Sequence, residues 1–164
     1  MDAITLLEND HRTVEDIFTR FEEADTSDHQ TLRQLVDQMI EELSVHAAIE
    51  EQVFYPAVRE AVPETEDDVL EGLEEHHIVK WTLSELQDMD PSHERFVAKV
   101  SVLMESVRHH VEEEEGELFP EVRKALDDKR LDQIGDALEL AKTRAPAEPR
   151  PEAPDTPPGN VPVS

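Results

Sequence analysis

Two copies of one short pattern carry the chemistry in this chain. Residues 46–56 read His-Ala-Ala-Ile-Glu-Glu-Gln-Val-Phe-Tyr-Pro, and residues 110–120 read His-Val-Glu-Glu-Glu-Glu-Gly-Glu-Leu-Phe-Pro. Both fit His-x3-Glu-x3 followed by two apolar residues and proline. His46 thus pairs with His110, Glu50 with Glu114 and Pro56 with Pro120, at an offset of 64 residues. Residues four apart on a helix share a face. Each copy therefore presents an imidazole and a carboxylate in one direction, as a metal site requires. A single His-x3-Glu means little in so acidic a chain, and His11–Glu15 and His109–Glu113 show the same spacing. Repetition with the trailing apolar-apolar-Pro singles the two copies out.

Four helical patterns position these groups. The first carries Ile4, Leu7, His11, Val14, Phe18 and Phe21 in an unbroken 3-4 stripe. The second, after Asp25-Thr26-Ser27, carries Leu32, Val36, Met39, Leu43, His46, Glu50, Val53 and Ala57. The third, after Pro63, carries Val69, Leu73, His76, Lys80 and Leu83. The fourth, opening near Pro91-Ser92, carries Phe96, Val100, Leu103, Val107, His110, Glu114 and Leu118. Amphipathic helices joined by short turns predict an all-α fold, an antiparallel up-down-up-down four-helix bundle. A short extra helix around Leu131 to Leu140 is expected to pack across one end. Pro56 and Pro120 are placed to kink or end their helices. A shift of 65 residues also lays Asp10-His11 on Glu75-His76 and Val14 on Val79, so the halves read as duplicated hairpins.

The stripes are interrupted near mid-helix by His11, His46, Glu50, His76, His110 and Glu114. An ionised carboxylate in apolar surroundings must be protonated, paired or metal-bound. Two carboxylates and four imidazoles that face one another form a ready ligand set for iron, manganese or zinc. Two carboxylates able to bridge, with four imidazoles to terminate, suit a pair of ions. Three further residues border the site: His77 as a fifth imidazole, Tyr55 as a hydrogen-bond donor or oxygen ligand, and Lys80 as an ammonium beside a bound anion or as a snorkelling side chain. His29, His93 and His109 read as solvated, and Trp81 and the phenylalanines as core.

Bulk properties remove other classes. The 164 residues predict one domain over 1–142, followed by a proline-rich disordered tail over 143–164. A formal charge of -26 argues against nucleic acid or anionic membrane as partner and favours cations. Without cysteine there is no thiol nucleophile and no iron–sulfur ligation. The amino terminus has no basic region followed by an apolar run, so a cytoplasmic protein is expected.

The ordered set Asp10-His11, His46-x3-Glu50, Glu75-His76 and His110-x3-Glu114 resembles the hemerythrin-like proteins, the hemerythrin HHE cation-binding domains. The resemblance covers residues 1 to about 142. It implies a four-helix bundle around two non-heme iron ions (Fe2+/Fe3+), oxo- or hydroxo-bridged. Glu50 and Glu114 would bridge the irons and the histidines would terminate them. Oxygen-carrying hemerythrins have five histidines, two of them four apart on the third helix. Here that pair is His76 with Lys80, or Gly72 with His76, and one imidazole is missing.

The implied function is binding or reaction of a small oxidant, such as oxygen, peroxide or nitric oxide, at the iron pair. Iron storage or delivery fits the same resemblance, and so does a catalase-like or nitric-oxide-related enzyme. A ferritin-like carboxylate enzyme would instead use Glu8-x-x-His11 and Glu74-x-x-His77. A metal-free helical interaction module would leave His46 and His110 buried without a task.

Overall fold

In the computed structural model residues 1–149 are described, and they are helical with turns. The helices are α1 (Ala3–Glu23), α2 (His29–Ile49), α3 (Tyr55–Ala61), α4 (Glu66–Gln87), α5 (Phe96–Glu113), α6 (Phe119–Ala125) and α7 (Asp128–Lys142). Two single π-helical turns, Glu50–Phe54 and Glu114–Leu118, join α2 to α3 and α5 to α6. The bundle therefore has four long rods, two of them compound, plus α7. α1 packs on α2 and α7, and α4 packs on α5 and α2.

Local signals start the helices as their residue types demand. Asp2, Asp28 and Asp127 each cap a helix by accepting from the backbone N–H of Thr5, Thr31 and Arg130. Such a cap stabilises by about 1 kcal/mol. α5 begins at Phe96 and not near Pro91-Ser92, because Asp90 accepts from the Ser92 N–H and hydroxyl and holds residues 90–95 in turns.

The two prolines neither kink nor end their rods in the simple sense. Proline has no N–H and its ring clashes with the carbonyl four residues back. A π turn before each proline absorbs this. The N–H of Tyr55 reaches back five residues to the Glu50 carbonyl, and that of Phe119 to Glu114. The extra residue also rotates the face that follows. Phe54, Tyr55 and Val58 are buried, while Val53 and Ala57, on the uninterrupted stripe, are only partly so.

The apolar core is in two parts. One holds Phe18, Phe21, Met39, Leu83, Leu86, Phe96 and Leu103 among others. The second holds Ile4, Leu7, Ile49, Phe54, Phe119, Leu131, Ile134 and Leu138. The polar residues of the stripes lie between these two parts. α7 closes the second, with Gly135 so close to the Met1 carbonyl that no side chain fits there. Trp81 is not core: 54% of it is exposed, as are Leu70 and Ile78 on the outer side of α4. The tail expected over 143–164 begins in turns, with Ala145 still packed on the core, and residues 150–164 lie outside the described residues.

Candidate metal centre

All six stripe residues meet in the middle of the bundle, each buried. They form two groups whose donor atoms lie within 4.8 Å of one another: His11, His46 and Glu114, and His76, His110 and Glu50. Each carboxylate also reaches the other group. Glu50 Oε1 is 3.0 Å from His46 Nε2 and 3.2 Å from His76 Nε2. Glu114 lies 3.3 Å from both His11 Nε2 and His110 Nε2, through different oxygens.

The other ring nitrogen of every imidazole is held by a carboxylate from another rod. Nδ1 of His11 pairs with Glu115 at 2.8 Å, and Nδ1 of His46 with Asp10 at 3.0 Å. His76 pairs with Glu51 at 3.0 Å and His110 with Glu75 at 2.8 Å. A carboxylate accepts only, so Nδ1–H is the donor and Nε2 turns its lone pair inward. The four contacts form two related sets: His11–Glu115 matches His76–Glu51, and His46–Asp10 matches His110–Glu75. Of these carboxylates, the sequence pattern marks only Asp10 and Glu75, as neighbours of histidine. Glu51 and Glu115 carry no periodic signal, because their partners are on other helices.

Tyr55, the residue that follows the first π turn, donates to Glu114 Oε2 at 2.6 Å. Its hydroxyl is 3.4 Å from Nε2 of both His76 and His110. Gly72 makes the room, since a Cβ there would stand 2.9 Å from that hydroxyl. The position one turn before His76 thus holds a phenol from the second rod where an imidazole would otherwise project. The buried Lys80 ammonium is 2.9 Å from Glu51 Oε1. His77 is exposed and stands outside both buried groups, because it lies one residue off the inward face. Glu74 is exposed beside it, so a ferritin-like set with Glu74 and His77 does not assemble. His29, His93 and His109 are exposed as expected.

The electrostatics show a site that wants a cation. Burial works against a charged His46 ring, yet the Glu50 and Asp10 carboxylates prevail and lift its pKa to about 10. His110 is likewise pushed well above its ordinary value, against burial, by Glu114 and Glu75. Burial raises the Glu114 carboxyl, but His110 and His11 hold it well below the usual range. Burial, with Glu114 and Glu50 nearby, drives the Tyr55 phenol up.

Five buried atoms at the centre lack a hydrogen-bond partner: His11 Nε2, His46 Nε2, both oxygens of Glu50 and Glu114 Oε1. Such orphans are costly, about 1–3 kcal/mol each and more when charged. His76 Nε2 and His110 Nε2 also face each other at 3.2 Å. That is the spacing of neighbouring nitrogen ligands about 2.1 Å from one ion. The donor set fits a bound metal.

The sequence model of the family described as Hemerythrin HHE cation binding domain matches residues 2–122. The chain belongs to this family. An uncharacterized hemerythrin-like protein of Schizosaccharomyces pombe is 29% identical over 150 residues, covering 91% of this chain and 73% of its own. A DNA nickase of Nostoc is 29% identical over 144 residues, 88% of this chain but only 40% of its own length. The crystal structure of a Hemerythrin HHE cation binding domain-containing protein from Mycobacterium kansasii superposes with a TM-score of 0.72 at 21% identity. It covers 88% of this chain and 89% of that one, and shares the fold. As an HHE domain the chain thus carries buried His/Glu clusters suited to metal. No helix among the described residues is long and apolar enough to cross a membrane.

Proposed function

We propose that this HHE protein is a cytoplasmic non-heme di-iron protein that binds or reacts with a small oxidant: oxygen, peroxide or nitric oxide. One observation carries the reading. Four Nε2 atoms, fixed by four outer carboxylates, surround two glutamates that each reach both histidine pairs. His11, His46, His76 and His110 would terminate the ions, and Glu50 and Glu114 would bridge them. Nitrogen and oxygen donors without thiolate suit iron in two oxidation states. When bound, the iron pair supplies a coordination position and electrons for the oxidant.

The chain's own residues select the side of approach. A small mouth of about 40 Å³, lined by Gly72, Glu75, Glu113, Glu117, Tyr55 and Glu114, opens on His110. Its acidic rim attracts cations. Tyr55 stands at its inner end, where its hydroxyl holds Glu114 and can ligate or donate a proton. A second hollow of about 570 Å³, lined by Val14, Phe18, Val107, Val111 and Glu115, runs along His11 on the other side.

The test is metal analysis of protein from iron-supplemented cells, with absorption spectra before and after anaerobic reduction. Two irons per chain and a near-ultraviolet band that bleaches on reduction support the reading. Folded, colourless, metal-free protein sinks it.

A further inference from the structure

The four carboxylates that hold the imidazoles are not equivalent. Glu75 and Glu115 keep 23% and 40% of their side chains exposed and pair with histidine. Asp10 and Glu51 are buried at 7% each. Each buried one also meets an ammonium: Lys80 on Glu51, and Lys142 on Asp10. The duplication does not generate these lysines. The residue matching Lys80 in the first half is Glu15, and Lys142 lies on α7, beyond the residues 2–122 of the family match. One lysine serves each cluster, since Asp10 holds His46 and Glu51 holds His76.

We propose that α7 is a working part of the metal centre, and that Lys142 is a positioning residue which sets how firmly the His11–His46–Glu114 cluster keeps its ion. The proposal rests on the metal reading above. Asp10 offers Oδ2 to His46 Nδ1 and Oδ1 to Lys142, so both oxygens are engaged and the carboxylate cannot turn. That fixes the His46 ring plane and the direction of Nε2. A buried carboxylate that lost its cation would rotate toward water or toward another donor. The imidazole would then lose its orienting partner, and outer-partner losses of this kind weaken metal binding about 10–100-fold. α7 is anchored in the core by Leu131, Ile134 and Leu138 independently of Lys142, whose side chain is 35% exposed and reaches Asp10 from the end of the helix. Lys80 does the same for the second cluster from within α4.

The test uses the full chain loaded anaerobically with two equivalents of iron(II), then mixed with a chromogenic ferrous chelator. Thermal unfolding first confirms that each variant folds. Lys142→Met is expected to release one ion roughly 10-fold faster, with the second ion at the wild-type rate. Lys80→Met accelerates one ion as well, the double variant accelerates both, and Lys142→Arg retains near-wild-type release. In metal-free protein, the Nδ1–H resonance of 15N-labelled His46 should exchange faster with water in Lys142→Met, while that of His76 stays unchanged. A mere loosening of the fold would speed both ions equally and alter both resonances, which overturns the proposal. Wild type holding two ions, with neither lost faster in Lys142→Met, also overturns it while sparing the di-iron reading. Wild type that takes up no iron overturns both.

Discussion

In the His11–His46–Glu114 cluster an apolar side chain packs on the His11 ring. Phe119 stacks on the His11 ring at 5.9 Å and 4°, with Leu7 in the same buried group. Around the His76–His110–Glu50 cluster the equivalent positions in the repeat hold Tyr55 and Gly72. Tyr55 lies 5.4 Å from the His76 ring, tilted by 31°, and brings a hydroxyl into the space that Gly72 leaves. The small acidic mouth reaches His110 and Glu114 beside Tyr55, a wider hollow runs along His11, and Lys142 meets Asp10 behind His46. Duplication supplies two matched ligand sets. Two single-residue differences, Phe119 against Tyr55 and Leu7 against Gly72, then leave apolar packing against one imidazole pair and place a hydroxyl beside the other.

The largest effect should come from changes that ignore this asymmetry. Glu50→Ala and Glu114→Ala each remove a carboxylate that reaches both clusters, so both ions should be lost, by more than the roughly 100-fold upper end for outer partners. His11→Ala should remove at most one ion while the other stays. Metal content per chain separates the outcomes, and retention of both ions in Glu50→Ala would break the shared-carboxylate picture.

Next come the wall positions. Leu7→Ala should cost about 2–5 kcal/mol in thermal unfolding by opening a cavity in the second core. Gly72→Ala should cost about 1–3 kcal/mol, because its Cβ would stand 2.9 Å from the Tyr55 hydroxyl. A Gly72→Ala variant as stable as the wild type would argue against the Tyr55 hydroxyl filling that space.

Protonation sharpens the view of the centre as a cation trap. The folded pKa of His46 is raised from 6.5 to about 10. Its contribution to metal-free stability is therefore complete below pH 6.5 and is lost as pH rises toward 10. Metal must displace that proton, so iron affinity should rise over the same window. Denaturant unfolding of metal-free protein and iron titration, each run across this range, should show opposite slopes.

A smaller effect is expected from exchanging the aromatic pair. Tyr55→Phe removes the 2.6 Å hydrogen bond to Glu114, a loss of about 1.5–3 kcal/mol for a charged acceptor. It should change the visible spectrum and the rate with peroxide, whereas Phe119→Tyr should change neither by as much. Stopped-flow absorption decides this, and equal responses would mean that the two faces are equivalent.

Legibility in the sequence followed physical range. Helical period put His11, His46, Glu50, His76, His110 and Glu114 on the inward faces where they are buried, because each lies on its own helix's stripe and i, i+4 neighbours need no tertiary information. Trp81 was unreadable by the same logic, since α4 carries apolar residues on its outer side too and offers little contrast. His77 fell one residue from the stripe, and one helical step of rotation puts it in solvent.

The chain by itself thus determined the bundle, the duplicated halves and six inward polar side chains, all consequences of local periodicity and repetition. Only the tertiary structure decided what holds and distinguishes them. Glu115 reaches His11 across 104 residues, and Lys142 reaches Asp10 across 132. Tyr55 arrives because a π turn before Pro56 shifts the helical face, which an unbroken 3.6-residue period cannot foresee. Contacts between rods depend on how faces meet, and no single helix encodes that meeting.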